Sequence, residues 1–197
     1  MHRIIFRSFL FVLVVASAQT AVFAAPCDES KDKHEMAVST EKNKFGHRAL
    51  KAHIVIKASP KLVWDAIRDH RDSDPDVQYS KITVLSEREH LLEQKYTSLP
   101  VFGAATCTLK LEEDKYKRID YSLLKSDRLK EFEGTWILSS DDGGETTKLE
   151  LSNHLRLQLP IPQRLVDAFA GPKLKSRLAL VKHLAESKRQ SQIASNE

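Results

Sequence analysis

The chain has 197 residues, of which 41% are hydrophobic and 29% are charged, which fits one globular domain with a core and excludes a disordered or membrane-spanning chain. Its formal net charge is +4, and the first 25 residues contribute two arginines to that excess. So small an excess, without a cluster of aromatic and basic residues, is not the footprint of a nucleic-acid-binding protein. We therefore predict no nucleic-acid partner.

The N-terminus has the layout of a secretory signal peptide. Arg3 and Arg7 come before an apolar run at Phe9–Val15, and small residues follow as far as Ala25. The apolar run is too short for a membrane span, which needs about 20 apolar residues. We expect residues 1–25 to be cleaved and the mature protein to be exported, to the periplasm or out of the cell.

A polar segment separates this signal from the first predicted element. Residues 26–44 have almost no apolar content and no periodicity, which predicts a flexible linker. We expect one domain over residues 45–190 and a disordered tail over residues 191–197. The domain opens with a half-buried strand within His47–Ser59, where apolar and polar residues alternate, and a Ser-Pro pair then starts a helix over Lys61–His70.

A long series of strands follows a turn around Pro75. Short joins between these strands, including a Gly-Gly turn at Gly143-Gly144, predict an antiparallel sheet. The predicted strands are Lys81–Arg88, Leu91–Ser98, Ala104–Glu112, Arg118–Ser126, Leu129–Leu138 and Thr147–Leu159.

The C-terminal part returns to helical spacing from Pro162 to about Arg189, with an apolar stripe along one face. Gly171-Pro172 is expected to kink or divide this helix, because proline has no amide hydrogen to donate. The fold class is therefore α+β, with a seven-stranded antiparallel sheet whose apolar face is covered by the long helix.

Two segments resemble a known family in sequence as well as in element order. Residues Ile56–Ile67 (IKASPKLVWDAI) and Glu133–Leu138 (EGTWIL) are similar to signatures of the START-like, or SRPBCC, superfamily, also called helix-grip or Bet v 1-like. The nearest branch is that of polyketide cyclases and coenzyme-Q-binding proteins. The resemblance implies a curved sheet wrapped around the last helix, with an apolar cavity between them. It does not imply one function, because this scaffold serves carriers, receptors and enzymes.

Candidate ligand contacts come from the inward faces of the strands and from the last helix. Each of them is also a candidate for ordinary core packing. Asn153 interrupts a row of leucines, so its amide either contacts a ligand or pairs with nearby backbone. Tyr121 and Trp136 combine a large apolar surface with one hydrogen-bond donor. The predicted ligand-binding residues are Tyr121, Phe132, Trp136, Leu151, Asn153, Leu155, Leu165 and Phe169.

The sequence favours a binding protein over an enzyme. The inward strand faces carry no His, Asp, Glu or Lys, and no nucleophile–His–carboxylate set, phosphate loop or metal-ligand spacing is visible. We predict no catalytic residue, no metal and no cofactor. The leading hypothesis is an exported carrier of a lipid, an isoprenoid quinone or a polyketide-like ring. The alternatives are an exported cyclase or dehydratase acting on such a ligand, and an interaction module with a filled core.

Two further features leave alternatives open. From Gln163 onward the chain has seven basic and three acidic side chains, which suit either peripheral contact with anionic lipids or a solvated outer face. Cys27 and Cys107 form a disulfide in one reading and remain separate thiols in the other.

Overall fold

A computed structural model of the chain describes residues 36–99, 103–140 and 143–195. The predicted signal peptide, most of the predicted linker and Cys27 lie outside the described residues. Export therefore stays a prediction, and both alternatives for Cys27 and Cys107 stay open. Cys107 itself is a buried thiol on an inner strand face.

The described part of the chain contains eight strands and two helices. The strands are β1 (Ser39–Lys42), β2 (Arg48–Ile56), β3 (Val77–Val84), β4 (Glu89–Leu99), β5 (Gly103–Asp114), β6 (Arg118–Ser126), β7 (Leu129–Ser140) and β8 (Thr147–Leu157). Helix α1 (Pro60–Ser73) follows β2, and helix α2 (Gln163–Ala194) follows β8.

All eight strands belong to one antiparallel sheet with the order β1-β2-β8-β7-β6-β5-β4-β3. Its inner face packs against the long helix α2, which confirms the predicted α+β, helix-grip class. The first predicted strand pairs with the last, so the sheet wraps around the helix rather than running in chain order. Bulges in β3, β4, β6 and β7 help the sheet to curve.

The sheet has one strand more than predicted. Strand β1 lies inside the segment 26–44 that we expected to be a flexible linker, so the linker prediction is wrong for Ser39–Lys42. This strand is mostly exposed and contains no large apolar residue, so it has no period-two signal. It is held by its backbone pairing with β2, where Thr40 lies opposite Leu50.

Strand β8 shows why the sheet forms where it does. Alternate side chains from Thr147 to Leu151 are fully buried against the helices, while those between them face solvent. Thr147 is the polar member of this buried row, and its hydroxyl donates a hydrogen bond of 2.7 Å to the carbonyl oxygen of Ala58.

Helix α1 begins with the predicted Ser59-Pro60 pair and is longer than predicted, since it ends at Ser73. Val63, Trp64 and Ile67 are buried, as their helical spacing predicts. The chain then turns at Asp74, whose carboxylate accepts the backbone N–H of Asp76 at 2.9 Å. Strand β3 begins four residues earlier than predicted. The predicted end of this strand is instead a turn, in which backbone N–H groups donate to the carbonyl oxygen of Glu89.

Helix α2 is continuous from Gln163 to Ala194, so Pro172 does not divide it. The proline side chain is exposed, and the carbonyl of Ala168 that loses its partner therefore lies on the solvent side. The helix also extends through most of the segment 191–197 that we predicted to be disordered, which corrects that boundary. Among the described residues, no helix is long and apolar enough to cross a membrane.

Candidate functional site

The site is a cavity enclosed by the two helices and the inner face of the sheet. It has two chambers, an inner one of about 60 Å³ beside α1 and an outer one of about 70 Å³ beside the first half of α2. Three side chains line both chambers and form the partition between them: Tyr96, Phe132 and Arg177. Each chamber has room for only a few water molecules and is smaller than the roughly 300 Å³ of a typical ligand pocket.

The inner chamber combines an apolar wall with a polar corner. Ile119, Tyr121 and Trp136 belong to the apolar wall. The polar corner is formed by the C-terminal turn of α1, by β4 and by α2, which contribute His70, Asp74, Gln94, Tyr96 and Arg177.

Arg177 is the charge at the centre of this corner. Its Nε lies 3.5 Å from Oδ2 of Asp74, whose side chain is only 7% exposed, and Nε2 of His70 lies 3.9 Å from the same oxygen. The Tyr96 hydroxyl donates a hydrogen bond of 2.9 Å to Oε1 of Gln94. A cation that is buried beside an apolar cavity and paired with only one carboxylate lowers the stability of the fold, because its desolvation is costly. Its remaining N–H donors are available to an anionic or carbonyl group.

The protonation states of this corner follow from burial. Burial lowers the pKa of His70 to about 4, and the positive charge of Arg177 acts in the same direction. Burial raises the pKa of Tyr96 to about 12 and also raises that of Tyr121. At neutral pH the inner chamber therefore presents a neutral imidazole, two neutral phenols and an ion pair between Arg177 and Asp74.

The polar corner adds a histidine and a carboxylate to the cavity, which we did not expect because the inward strand faces carry no His, Asp, Glu or Lys. His70 and Arg177 come from the helices, and Asp74 directly follows α1. A signal was present in the sequence, because His70 and Asp74 continue the buried helical row of Val63 and Ile67 at spacings of three and four. Arg177 likewise stands three residues after the buried Leu174 in α2.

The outer chamber is more apolar and opens near the start of α2. Asn153 is a polar side chain in its wall, and among the described residues its Oδ1 atom is buried without a hydrogen-bond partner. Phe169 is 42% exposed and stands at the mouth. Lys173, one turn further along α2, forms an ion pair with Asp76.

Six of the eight predicted ligand-binding residues line the cavity. Tyr121 and Trp136 line the inner chamber, Phe132 lines both, and Asn153, Leu155 and Phe169 line the outer one. Their contact with a ligand stays a prediction.

The other two predicted residues line neither chamber. Leu151 is fully buried in the core, opposite Trp136 and Ala52 in the neighbouring strands. Leu165 is 53% exposed, because the neighbouring Val166 is the residue that faces inward in the first turn of α2. A shift of one residue along a helix rotates a side chain by about 100°, which explains this error.

Comparison with solved structures identifies the architecture. The Zhui aromatase/cyclase from Streptomyces sp. R1128 superposes with a TM-score of 0.60 at 17% identity, over 71% of this chain and 93% of that one. A START superfamily protein from Mycobacterium smegmatis has a TM-score of 0.60 at 14% identity, over 71% and 97% of the two chains. The chain has the START-like fold.

A STAR-related lipid transfer protein from Xanthomonas axonopodis matches this START-like chain as well, with a TM-score of 0.55 at 16% identity, over 75% of this chain and 98% of the solved fragment. The chain matches no family model and no curated protein sequence. Likenesses at such low identity establish the fold alone.

Proposed function

We propose that the protein is an exported carrier that binds an apolar molecule with one anionic or carbonyl group. The observation that carries this proposal is Arg177, a cation placed on the partition of an otherwise largely apolar two-chamber cavity. An apolar tail or ring occupies the chambers, and its polar group accepts hydrogen bonds from the guanidinium. Fatty acids, quinones and polyketide-like rings all have such a group.

Binding requires the two chambers to merge. Neither chamber alone accommodates a molecule of this size, and the aromatic rings of Phe132 and Tyr96 separate them. Rotation of these rings opens one continuous cavity that passes Arg177 and ends at Asn153. The unpaired Oδ1 of Asn153 then gains a partner if the ligand carries a hydroxyl group.

The surface at the mouth suits uptake from a lipid surface. Leu165 and Phe169 are exposed apolar side chains in the first two turns of α2, and Arg164 and Lys173 stand beside them. An apolar patch with basic neighbours is suited to contact with anionic headgroups. We infer that the mouth makes peripheral contact with such membranes when ligand enters or leaves.

An enzyme is the second candidate, and one observation favours it. His70, with its pKa lowered to about 4, is a neutral base inside the cavity, and Asp74 lies beside it. A cyclase acting on a polyketide-like substrate needs such a group. The aromatase/cyclase among the structural neighbours shares the fold with this chain.

The test compares two probes that differ only in their polar end, dodecanoate and dodecan-1-ol. Trp136 lines the inner chamber, so its fluorescence reports binding. We expect Arg177→Met to weaken dodecanoate binding by about 10- to 150-fold, which corresponds to one charge-assisted hydrogen bond, and to change dodecan-1-ol binding by less than about 3-fold. The matched control is Arg68→Met, an exposed arginine on α1.

An equal loss of affinity for both probes in Arg177→Met would mean that the arginine only supports the fold. An unchanged affinity for dodecanoate would refute the role of Arg177 in binding the polar group. Urea unfolding of each variant separates these outcomes from simple misfolding. His70→Gln discriminates the enzyme, since a carrier with this change keeps its affinity for dodecanoate. An enzyme loses turnover of a polyketide-like substrate.

A further inference from the structure

A second cluster of chemically active side chains lies on the outer face of the sheet, remote from the cavity. His47 ends the turn between β1 and β2, Glu131 is on β7 and His154 is on β8. Each offers one nitrogen or carboxylate oxygen, and these three atoms all lie within 4.8 Å of one another. The two imidazole rings stack with their centroids 4.8 Å apart.

The hydrogen bonds of His154 determine which ring nitrogen is available. Its Nδ1 lies 2.8 Å from the backbone carbonyl oxygen of Arg48, and a carbonyl can only accept. Nδ1 therefore carries a hydrogen, and in the neutral ring Nε2 has the lone pair. That atom lies 2.9 Å from Oε2 of Glu131. A metal-binding histidine is commonly oriented in this way, with its other nitrogen donating to a backbone carbonyl or a carboxylate.

His47 is oriented by a carboxylate in a corresponding way. Its Nδ1 lies 3.1 Å from Oε2 of Glu133, which also accepts a hydrogen bond of 2.8 Å from Nδ2 of Asn43. The Asn43 side chain in turn accepts the backbone N–H of His47 at 2.9 Å. Because Glu133 is held as an acceptor on two sides, Nδ1 of His47 donates and its Nε2 atom keeps the lone pair.

The carboxylate of Glu131 is divided between two partners. Its Oε1 accepts a hydrogen bond of 3.2 Å from Arg156, which leaves Oε2 directed at the two histidines. The three side chains line an open groove of about 620 Å³, so an ion reaches them from solvent.

We propose that His47, Glu131 and His154 form a binding site for one Zn²⁺ ion. Two imidazole nitrogens and one carboxylate oxygen match the ligands that zinc prefers, at metal distances of about 2.0–2.2 Å. Those distances place ligand atoms about 3.4 Å apart, so small side-chain rotations close the cluster around the ion. The fourth position remains open to water or to a partner's ligand.

No metal-ligand spacing is visible along the chain because the three ligands lie on segments that are far apart in sequence. His154 lies directly opposite Glu133 in the β7–β8 pair, and the β1–β2 turn brings His47 to the same place. Only the sheet topology brings these side chains together. The competing arrangement is a proton in place of the metal, with an imidazolium paired to Glu131.

Isothermal titration with ZnCl₂ at pH 7.5 distinguishes the two arrangements. We expect the full chain to bind one Zn²⁺ per molecule. Glu133→Gln removes only the partner that orients His47, so we expect it to weaken binding by about 10- to 100-fold. His154→Gln and Glu131→Gln remove ligands, and we expect a larger loss from each.

The matched control is His53→Gln, an exposed histidine on the outer face of β2. We expect its zinc affinity to equal that of the unchanged chain. Absence of stoichiometric zinc binding, or the same affinity in His154→Gln as in the unchanged chain, would overturn the proposal. Circular dichroism of each variant verifies the fold, and because Glu131→Gln preserves side-chain shape, it is the second test if His154→Gln fails to fold.

Discussion

The buried histidine of the polar corner makes the stability of the protein depend on pH in a defined window. Burial, and secondarily Arg177, lowers the pKa of His70 from 6.5 to about 4 in the folded state. Asp74 acts in the opposite direction, and Arg71 adds to the lowering. In the unfolded chain the same imidazole is hydrated and binds a proton near its ordinary pKa.

The sign and size of the effect follow from this difference. Between about pH 4 and pH 6.5 the unfolded state binds more protons than the folded state at His70, so the free energy of unfolding rises with pH across this window. It falls by the same amount on acidification. The pKa of His70 is lowered by about 2.5, the difference between 6.5 and about 4, and this shift corresponds to a change of about 3 kcal/mol in the free energy of unfolding.

Urea unfolding of the unchanged chain and of His70→Gln, each at pH 7 and pH 4, isolates this contribution. The carboxylates titrate in both proteins, so their effect cancels in the comparison. We expect the stability advantage of the unchanged chain over the variant to shrink by about 3 kcal/mol on acidification. A difference that stays constant with pH, or an imidazole that titrates near pH 6.5 by NMR, would refute the assigned burial of His70.

Three further expectations concern packing in the interior. In Gly134→Ala the added carbon would overlap the Tyr121 hydroxyl and lie 2.5 Å from the Ser152 carbonyl oxygen, so we expect urea unfolding to show a loss of about 1–3 kcal/mol. Thr147→Val leaves a buried carbonyl without its 2.7 Å hydrogen bond, and calorimetry should report a loss of about 1–3 kcal/mol. Burial raises the pKa of Cys107 to about 12, so a thiol reagent should modify it only after denaturant is added.

The fold was largely predictable because its strongest signals are local. The alternation of apolar and polar residues predicted strands β2 and β8, and helical spacing predicted α1. The resemblance to the START-like superfamily implied how these elements are arranged. Strand β1 escaped detection because its polar side chains leave no period-two pattern. Backbone pairing with β2 and an ion pair between Glu41 and Lys51 hold it in place. The continuity of α2 through Pro172 depends on which side of the helix faces solvent, and this is a property of the tertiary structure.

The site was predictable only on the strand side. Period-two alternation placed Tyr121, Phe132 and Trp136 on the inner face, where the structure has them. The polar corner depends on two helices that pack against each other over the inner face of the sheet, so His70 and Arg177 come together only through the fold. Their separate helical rows were visible, but their proximity to each other was not.

Native mass spectrometry of the mature protein from its natural source, with extraction of whatever accompanies it, tests the carrier proposal most directly. We expect a stoichiometric apolar molecule with an anionic or carbonyl group, and we expect Arg177→Met to retain less of it. A protein that carries no ligand, and gains none after incubation with mixed lipids and quinones, would contradict a carrier function.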